Sequence, residues 1–148
     1  MENFMNNFFR SALLIIFLLT LLSGCSASSG SKEIKTPPIT NQVARDLGIT
    51  NDQAEAGLGA MMMLLRNKLS SDDFSVLNKS FPGGGNNLIN KATRFGVIPG
   101  TLGTTTDLIN ALSKLGMSYM TAAEFVPTVL RITGSLDGNT YGILKKVF

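Results

Sequence analysis

The residue of this chain with the clearest predicted chemistry is Cys25, the last of the four residues Leu-Ser-Gly-Cys at positions 22–25. A nearly uninterrupted apolar run at 11–22 leads to these small residues, and Arg10 precedes that run. So short a run does not span a bilayer as a helix, which takes about 20 residues, but it suits the apolar part of a cleavable signal peptide. The ending is similar to a bacterial lipobox, whose cysteine receives a lipid before the chain is cut in front of it.

Cys25 is also the only cysteine of the chain, so an intramolecular disulfide is impossible. A lone cysteine in an exported protein needs another use, and lipid attachment supplies one. Ordinary secretory cleavage nearby and an uncleaved membrane anchor are the alternatives. We therefore expect a lipoprotein signal peptide at 1–24, a lipidated Cys25 with a disordered tether at 25–39, and a helical domain at 40–148. With Ser26 next, the resemblance to Gram-negative lipoproteins implies an outer-membrane anchor that faces the periplasm.

Other catalytic chemistry is poorly represented in the sequence. The chain has no histidine, which excludes a Ser-His-Asp or Cys-His nucleophilic site and a zinc or copper site built on histidine. Its 10 acidic residues are spread without a pattern that would indicate a catalytic pair. We therefore predict no catalytic residue, no metal site and no cofactor, and we do not expect an enzyme.

The charge of the chain is mild, and it indicates which partners to expect. The formal net charge is +3, and no basic run is longer than the pair Lys145-Lys146. A nucleic-acid-binding protein concentrates Lys and Arg on one face, so we expect no nucleic-acid partner. The expected partners are the membrane, through the N-terminal lipid, and an envelope protein.

From residue 40 onward, apolar residues recur at helical spacing, with turn signals between the segments. The strongest pattern begins at Thr50, which forms a capping box with Gln53 and is followed by apolar residues at 54, 58, 61, 62, 65 and 69. We predict an all-α fold, a small irregular bundle of about five or six short helices. Segments 41–47 and 141–148 have a weaker pattern. The residues that we expect to be buried are Leu58, Met62, Leu65, Phe74, Leu77, Leu112 and Val126.

Several helix boundaries follow from capping residues and helix breakers. Ser70 or Ser71 is expected to cap the second main helix, Asn86 or Asn87 the third, one of the threonines at 104–106 the fourth, and Ser118 the fifth. Proline inside a helix removes a hydrogen bond, so Pro127 is expected to kink or split the fifth helix. The residues at 137–139 are expected to form a turn.

Four segments allow both a functional and a structural interpretation. Met61, Met62 and Met63 form either a flexible binding groove or the core of a central helix. The glycines at 83–85, before a helix, either hold a phosphate or form an interhelical loop. The threonines at 104–106 either bind a polar ligand or cap a helix. Gly57 and Gly59 either allow the close approach of another helix, with the helix after Ser118 as the favoured neighbour, or only weaken their own helix.

A weak internal echo relates two links between helices. Leu-Gly-Ile-Thr at 47–50 and Leu-Gly-Met-Ser at 115–118 lie at a constant offset of 68 residues. Duplication of a helix–turn–helix unit explains the match. So does the general habit of helical hairpins to reuse glycine stops and Ser or Thr caps.

The residues at 47–59, together with Lys-Leu-Ser at 68–70, Asp73-Phe74 and Phe-Pro-Gly at 81–83, resemble a family of small helical bacterial proteins of unknown function, the VcgC/VcgE proteins. The resemblance is clear over about 42–83 and loose over the remainder. The methionines at 61–63 depart from the Leu, Ala or Phe expected there. The resemblance implies an all-helical fold in a bacterial envelope or export context, and it assigns no catalytic residue and no ligand.

Two functions are compatible with these features. The first is a non-enzymatic cell-envelope lipoprotein that binds a protein partner or supports the envelope. The alternative is a helical bundle that binds a small apolar ligand or a lipid. An enclosed apolar cavity would favour the alternative, whereas a filled core with exposed apolar residues would favour the first.

Overall fold

The computed structural model describes residues 38–81 and 83–148. Within these ranges the fold is all-α, as predicted, and it contains seven helices and no strand. The two segments with a weaker pattern both contribute a helix, which brings the number above the expected five or six. The helices are α1 (Ile39–Leu47), α2 (Asn51–Lys68), α3 (Ser71–Ser80), α4 (Gly85–Arg94), α5 (Thr105–Lys114), α6 (Tyr119–Leu136) and α7 (Gly138–Leu144).

Cys25, the predicted signal peptide at 1–24 and nearly all of the predicted tether lie outside the described residues. The described helices belong to one compact unit, Thr36–Phe148. None of them combines the length and the hydropathy that crossing a membrane requires.

Helix α2 is the centre of the bundle and packs against α1, α3, α4 and α5. Every residue from 56 to 65 is buried, and the three methionines are at most 4% exposed. A helix with apolar residues on all sides must be covered on all sides, and α2 is. The methionines therefore fill the core, and they do not form a binding groove.

The predicted buried residues are buried in all cases but one. Phe74 is only partly buried. The guanidinium of Arg66 lies over its ring, 5.1 Å from the centroid. A cation over an aromatic face is favourable at the protein surface, so Phe74 lies at the edge of the core under a charged side chain.

Most predicted caps form. Thr50 accepts a hydrogen bond from the Gln53 N–H at 3.1 Å, and the Gln53 side chain accepts one from the Thr50 N–H, which completes the capping box. Ser70 and Ser118 cap α3 and α6, and the side chain of each serine accepts a hydrogen bond from the N–H three residues later. Thr104 caps α5 and forms a second capping box with Asp107, so these threonines have a structural role.

Helix α4 begins differently from the prediction. Gly84 is its N-cap and provides no side chain, while Asn86 and Asn87 lie inside the first turn. The Asn86 N–H donates to the side-chain oxygen of Asn78, 2.8 Å away on α3. Asn78, eight residues earlier on the preceding helix, thus replaces the cap, and it occupies one of the N–H groups that a phosphate would need.

Two further expectations need correction. Of the kink or split expected at Pro127, the split does not occur, because α6 continues from Tyr119 to Leu136. Proline has no N–H to donate to the carbonyl four residues earlier. Because Pro127 is on the exposed side of the helix, that carbonyl can accept a hydrogen bond from water instead. The segment 137–139 is not a separate turn, because only Asp137 lies between α6 and α7. Its carboxylate caps α7 by accepting from the N–H groups of Asn139 and Thr140.

The two glycines of α2 both lie at close helix crossings, but with different neighbours. A Cβ at Gly57 would lie 2.6 Å from the ring of Phe125 on α6, as expected for the helix after Ser118. A Cβ at Gly59 would lie less than 3.0 Å from the backbone carbonyl of Leu88. The neighbour of Gly59 is therefore α4, and the nearest atoms to Gly57 belong to Phe125 and Leu112.

The internal echo extends beyond the two links. Helices α2 and α6 both have 18 residues and begin 68 residues apart. Each follows a short helix, α1 or α5, and precedes another short helix, α3 or α7. Helix α1 packs against both α2 and α6, and α5 also packs against both. The order short, long, short therefore occurs twice, with α4 between the two sets.

The links themselves are alike in geometry. Gly48 and Gly116 have φ angles of 63° and 86°, a left-handed conformation that favours glycine. In each link the N–H after the glycine donates to a carbonyl of the preceding helix, from Ile49 to Ala44 and from Met117 to Leu112. Such a stop also ends α4 at Gly96, where no helix follows directly, so the stop alone does not define the repeat.

Candidate functional site

Six of the eight acidic residues in the described ranges stabilise the fold. Three bridge helices: Asp46 pairs with Arg131, while Asp52 and Glu55 both pair with Lys91. The other three have different roles. Asp73 pairs with Lys146, and Asp107 and Asp137 cap helices. Within these ranges no group of three acidic or sulfur ligands is close enough to hold a metal ion.

Two clefts that are open to solvent occur among the described residues. The first, of about 240 Å³, lies between α5 and the segment that joins α4 to α5. The second, of about 370 Å³, lies where α2 ends and α5 begins. Two lysines, Lys68 and Lys146, line the second cleft with Thr104 and Thr105. Lys146 already pairs with Asp73 and Thr104 with Asp107, so these groups have partners.

The segment 95–102, here called the loop, contributes five residues to the lining of the first cleft, namely Gly96, Val97, Ile98, Thr101 and Leu102. Gly96 begins it with a helix stop, and residues 98–101 form a turn with proline second and Gly100 third, at a φ of 83°. That order and that φ are typical of a type II turn. The Thr101 hydroxyl donates to the Ile98 carbonyl at 2.8 Å and closes the turn.

Both ends of the loop are fixed to helices. The Leu102 carbonyl accepts a hydrogen bond from the Asn67 side chain at 3.0 Å, and Leu102 itself is buried. Directly after the loop, the Asp107 carboxylate accepts from the N–H groups of Gly103 and Thr104. The C-terminal end of the loop is therefore held by α2 and α5, and at its N-terminal end the Val97 N–H donates to the Ala92 carbonyl of α4.

This fixed loop exposes two large apolar side chains. Phe95 is 48% exposed and Ile98 is 65% exposed. Next to them, Val97 and Leu102 turn inward and are buried. An apolar side chain that is held in water by a rigid turn contributes nothing to the core, and exposed apolar surface of this kind often marks an interaction site.

The opposite wall of the cleft belongs to α5 and is polar. Asp107, Asn110 and Lys114 line it, and their spacing of three and four residues places them on one face of the helix. Ala111 forms the apolar floor. The first cleft thus has one apolar edge and one polar edge, which suits an amphipathic peptide segment.

Hydrogen bonds lower the pKa of three structural carboxyls below its ordinary value. The main cause of the lowered pKa of Asp73 is the hydrogen bond from the Lys146 ammonium. For Asp107 it is the hydrogen bond from the Thr104 hydroxyl, and for Asp137 it is the hydrogen bond from the Thr140 hydroxyl. A lowered pKa in the folded state means that the unfolded chain binds more protons. These groups therefore stabilise the fold above their unfolded pKa, and the contribution is lost as the pH falls through the folded pKa.

We expect the melting temperature to stay constant between about pH 6 and pH 8, because the chain has no histidine to titrate there. It should fall below about pH 4, where the three carboxyls become protonated. The melting temperature is measured at each pH by following the circular dichroism of the helices at 222 nm while the sample is heated. Asp107→Asn should have a shallower acid decline than the unsubstituted chain. A steep change near pH 6.5 would contradict the assignment.

The loop is the feature that sequence analysis missed. In sequence, residues 97–103 form a connection between helices that contains glycine and proline. The available signal was Ile98 directly before Pro-Gly, a large apolar residue in a turn sequence. Its exposure depends on Asn67 and Asp107, which anchor the loop from other elements.

The predicted site residues and segments are distributed as follows. Cys25 lies outside the described residues. The methionines of α2 are in the core, the threonines at the start of α5 cap that helix, and the glycines at 83–85 precede a helix whose N-terminus is occupied by Asn78. The structure therefore brings none of these segments together into one site.

Comparison with known proteins identifies the family. Residues 23–138 match the family described as protein of unknown function VcgC/VcgE. The match extends the resemblance seen at 42–83 in both directions and includes α1 to α6. No curated protein and no solved structure matched the chain. Since the family match covers more than three quarters of the sequence, the chain belongs to the VcgC/VcgE family.

Proposed function

We propose that this chain is a non-enzymatic lipoprotein of the bacterial cell envelope that binds a protein partner at the first cleft. In this proposal the lipid on Cys25 anchors the chain to the outer membrane, on its periplasmic side, and residues 25–39 tether the helical domain. The fixed loop with exposed Phe95 and Ile98 is the observation that carries the binding proposal.

The filled core supports a protein partner over a small apolar ligand. The side chains of α2 that could have lined a cavity are buried against neighbouring helices. The two clefts are open to solvent and are lined in part by charged side chains. A ligand pocket normally encloses most of the ligand surface in apolar walls. An open cleft with one apolar edge is better suited to a peptide segment.

The structural use of the carboxylates supports a non-enzymatic role. General acid–base catalysis would need a free pair of acidic groups around a reacting atom. Asp52 and Glu55 are close together, but both are paired with Lys91. The hydrogen bonds from the Lys91 ammonium raise its pKa above the ordinary value, and the bond to Asp52 has a larger effect than the bond to Glu55. This cluster therefore joins α2 to α4, and its lysine is poorly suited to act as a base.

We expect Cys25→Ala to abolish lipid attachment completely. The chain has no other cysteine to carry the predicted lipid, so labelling with a radioactive or alkyne-tagged fatty acid should disappear. The chain should then remain uncleaved at this point or appear in the soluble fraction. Ser26→Ala is the matched control and should keep its label. A labelled, membrane-bound Cys25→Ala protein would disprove the anchor.

The binding surface is tested by a photoreactive benzophenone amino acid at position 98 in cells that make the full chain. Because Ile98 is 65% exposed, we expect one discrete protein adduct on irradiation. The same probe at Asn90, exposed on α4, is the control and should give none. The Phe95→Asp variant should reduce the adduct at least about fivefold while the helix content is unchanged. No adduct, or an adduct with lipid alone, would contradict the proposal.

A further inference from the structure

One side of α6 lacks the cover that the equivalent side of α2 has. Helix α4 runs antiparallel to α2, since Lys91 meets Asp52 and Glu55 while Asn86 meets Arg66. Between these ends, Leu88 lies over Gly59. The positions of α2 that face α4 thus form one stripe at helical spacing, namely 52, 55, 59, 62 and 66.

The corresponding stripe of α6, at the constant offset of 68 residues, is apolar. Its members are Met120, Ala123, Pro127, Leu130 and Gly134. Met120 is 71% exposed, Pro127 and Gly134 are exposed, and the other two are partly exposed. No charge occurs at these five positions, although the stripe under α4 contains two carboxylates. Among the described helices, none takes the place on α6 that α4 takes on α2.

We infer that this stripe binds the same stripe of a second copy of the chain, with the two α6 helices antiparallel about Pro127. In that arrangement residues equally far from the centre face each other. Met120 of each copy then lies against Gly134 of the other, a large side chain against a residue without one. The ring of Tyr141 lies beside Gly134, where it can contact the methionine sulfur.

Charge complementarity also favours a second copy. Glu124 and Arg131 lie on the same edge of the stripe, three and four residues from Pro127. A two-fold axis through the centre places Glu124 of one copy beside Arg131 of the other, twice per dimer. Glu124 forms no ion pair among the described residues. Arg131 pairs with Asp46 through one nitrogen, and a guanidinium has further N–H groups to donate.

The expected dimer is weak. The stripe extends along about 15 residues of one helix, roughly 23 Å, and a single pair of helices buries less area than the roughly 1,200–2,000 Å² of a standard stable interface. The inference goes beyond the proposed function and does not depend on the anchor at Cys25. Tyr119, 69% exposed at the end of the stripe, extends the apolar surface.

Cysteine crosslinking of the full chain, in membranes and in mild detergent, tests the inference. Pro127→Cys places a thiol on the two-fold axis, so a short bis-maleimide should give a covalent dimer at least about fivefold above two controls. The first control is Asn90→Cys on the outer face of α4. The second control is the unsubstituted chain, which shows how much dimer is crosslinked through Cys25 alone. Equal yields in all three, or an adduct with a different protein instead of a dimer, would overturn the inference.

A charge exchange in the Pro127→Cys background separates specific from accidental contact. Glu124→Lys should reduce the dimer at least about fivefold because two arginines then face two lysines. The combination Glu124→Lys with Arg131→Glu should restore at least half of it. The melting temperature reports whether each variant is folded. If Glu124→Lys leaves the dimer unchanged, or if a folded double variant fails to restore it, the proposed pairing is wrong.

Discussion

Gly59→Ala should lower the free energy of unfolding by about 3 kcal/mol, at the upper end of the range for overpacking of a core. The added Cβ would lie less than 3.0 Å from the backbone carbonyl of Leu88 and also close to the Cβ of Ala92. A carbonyl inside a helix cannot rotate away as a side chain can. The substitution therefore requires α4 to move away from α2, which also disturbs the pairing of Lys91.

Gly142→Ala is the matched control for this prediction. Gly142 lies in α7, it is exposed, and a Cβ there would meet no atom within 4 Å. The same chemical change should therefore stabilise the fold by about 0.4–1 kcal/mol. Urea denaturation followed by circular dichroism measures both variants. If Gly59→Ala proves as stable as the unsubstituted chain, α4 does not cross α2 at this glycine.

Phe125→Ala should cost about 3–5 kcal/mol, the usual range for truncating a buried aromatic side chain. Phe125 is fully buried, and its ring lies against Gly57 of α2. The truncation leaves a cavity between the two long helices at the centre of the bundle. Val76→Ala on α3, where the side chain is exposed, is a control and should cost less than about 0.5 kcal/mol.

The contact between Phe125 and Gly57 is tested by combining two substitutions. Gly57→Ala alone should destabilise, because its Cβ would lie 2.6 Å from the Phe125 ring and 3.1 Å from a methyl group of Leu112. In the Phe125→Ala background the added methyl group enters the cavity instead. The double variant should therefore lose less than the sum of the single losses, by about 0.5–3 kcal/mol. Strictly additive losses would show that the two residues do not touch.

The local elements of this fold could be predicted because their signals are local. The Thr50–Gln53 capping box needs only residues three apart, and a glycine stop needs only the left-handed conformation that Gly48 and Gly116 adopt. Helix α2 was recognised from its apolar periodicity, and burial on all sides was one of the two interpretations that its consecutive methionines allowed. The family resemblance was also present in sequence and is confirmed over a longer range.

The candidate surfaces could not be predicted in the same way, because exposure depends on what the remainder of the chain covers. Ile98 and Leu102 are apolar residues of one short loop, yet Ile98 is exposed and Leu102 is buried. The Leu102 carbonyl accepts a hydrogen bond from Asn67 of another helix, so the surroundings of Leu102 include a residue from outside the loop. The stripe on α6 looks like an ordinary core face in sequence. It is recognised as uncovered only because α4 packs on the equivalent side of α2 alone.

The sequence by itself thus determined most of the helices and their caps, the glycine stops, the family, and the single thiol at Cys25 on which the anchor proposal depends. Each of these follows from residues that are neighbours along the chain. The tertiary structure decided which glycine meets which helix, which residue caps α4, and which apolar side chains remain in water. Those outcomes depend on pairs from different helices, such as Gly59 with Leu88 and Asn78 with Asn86, whose proximity exists only after the helices have packed.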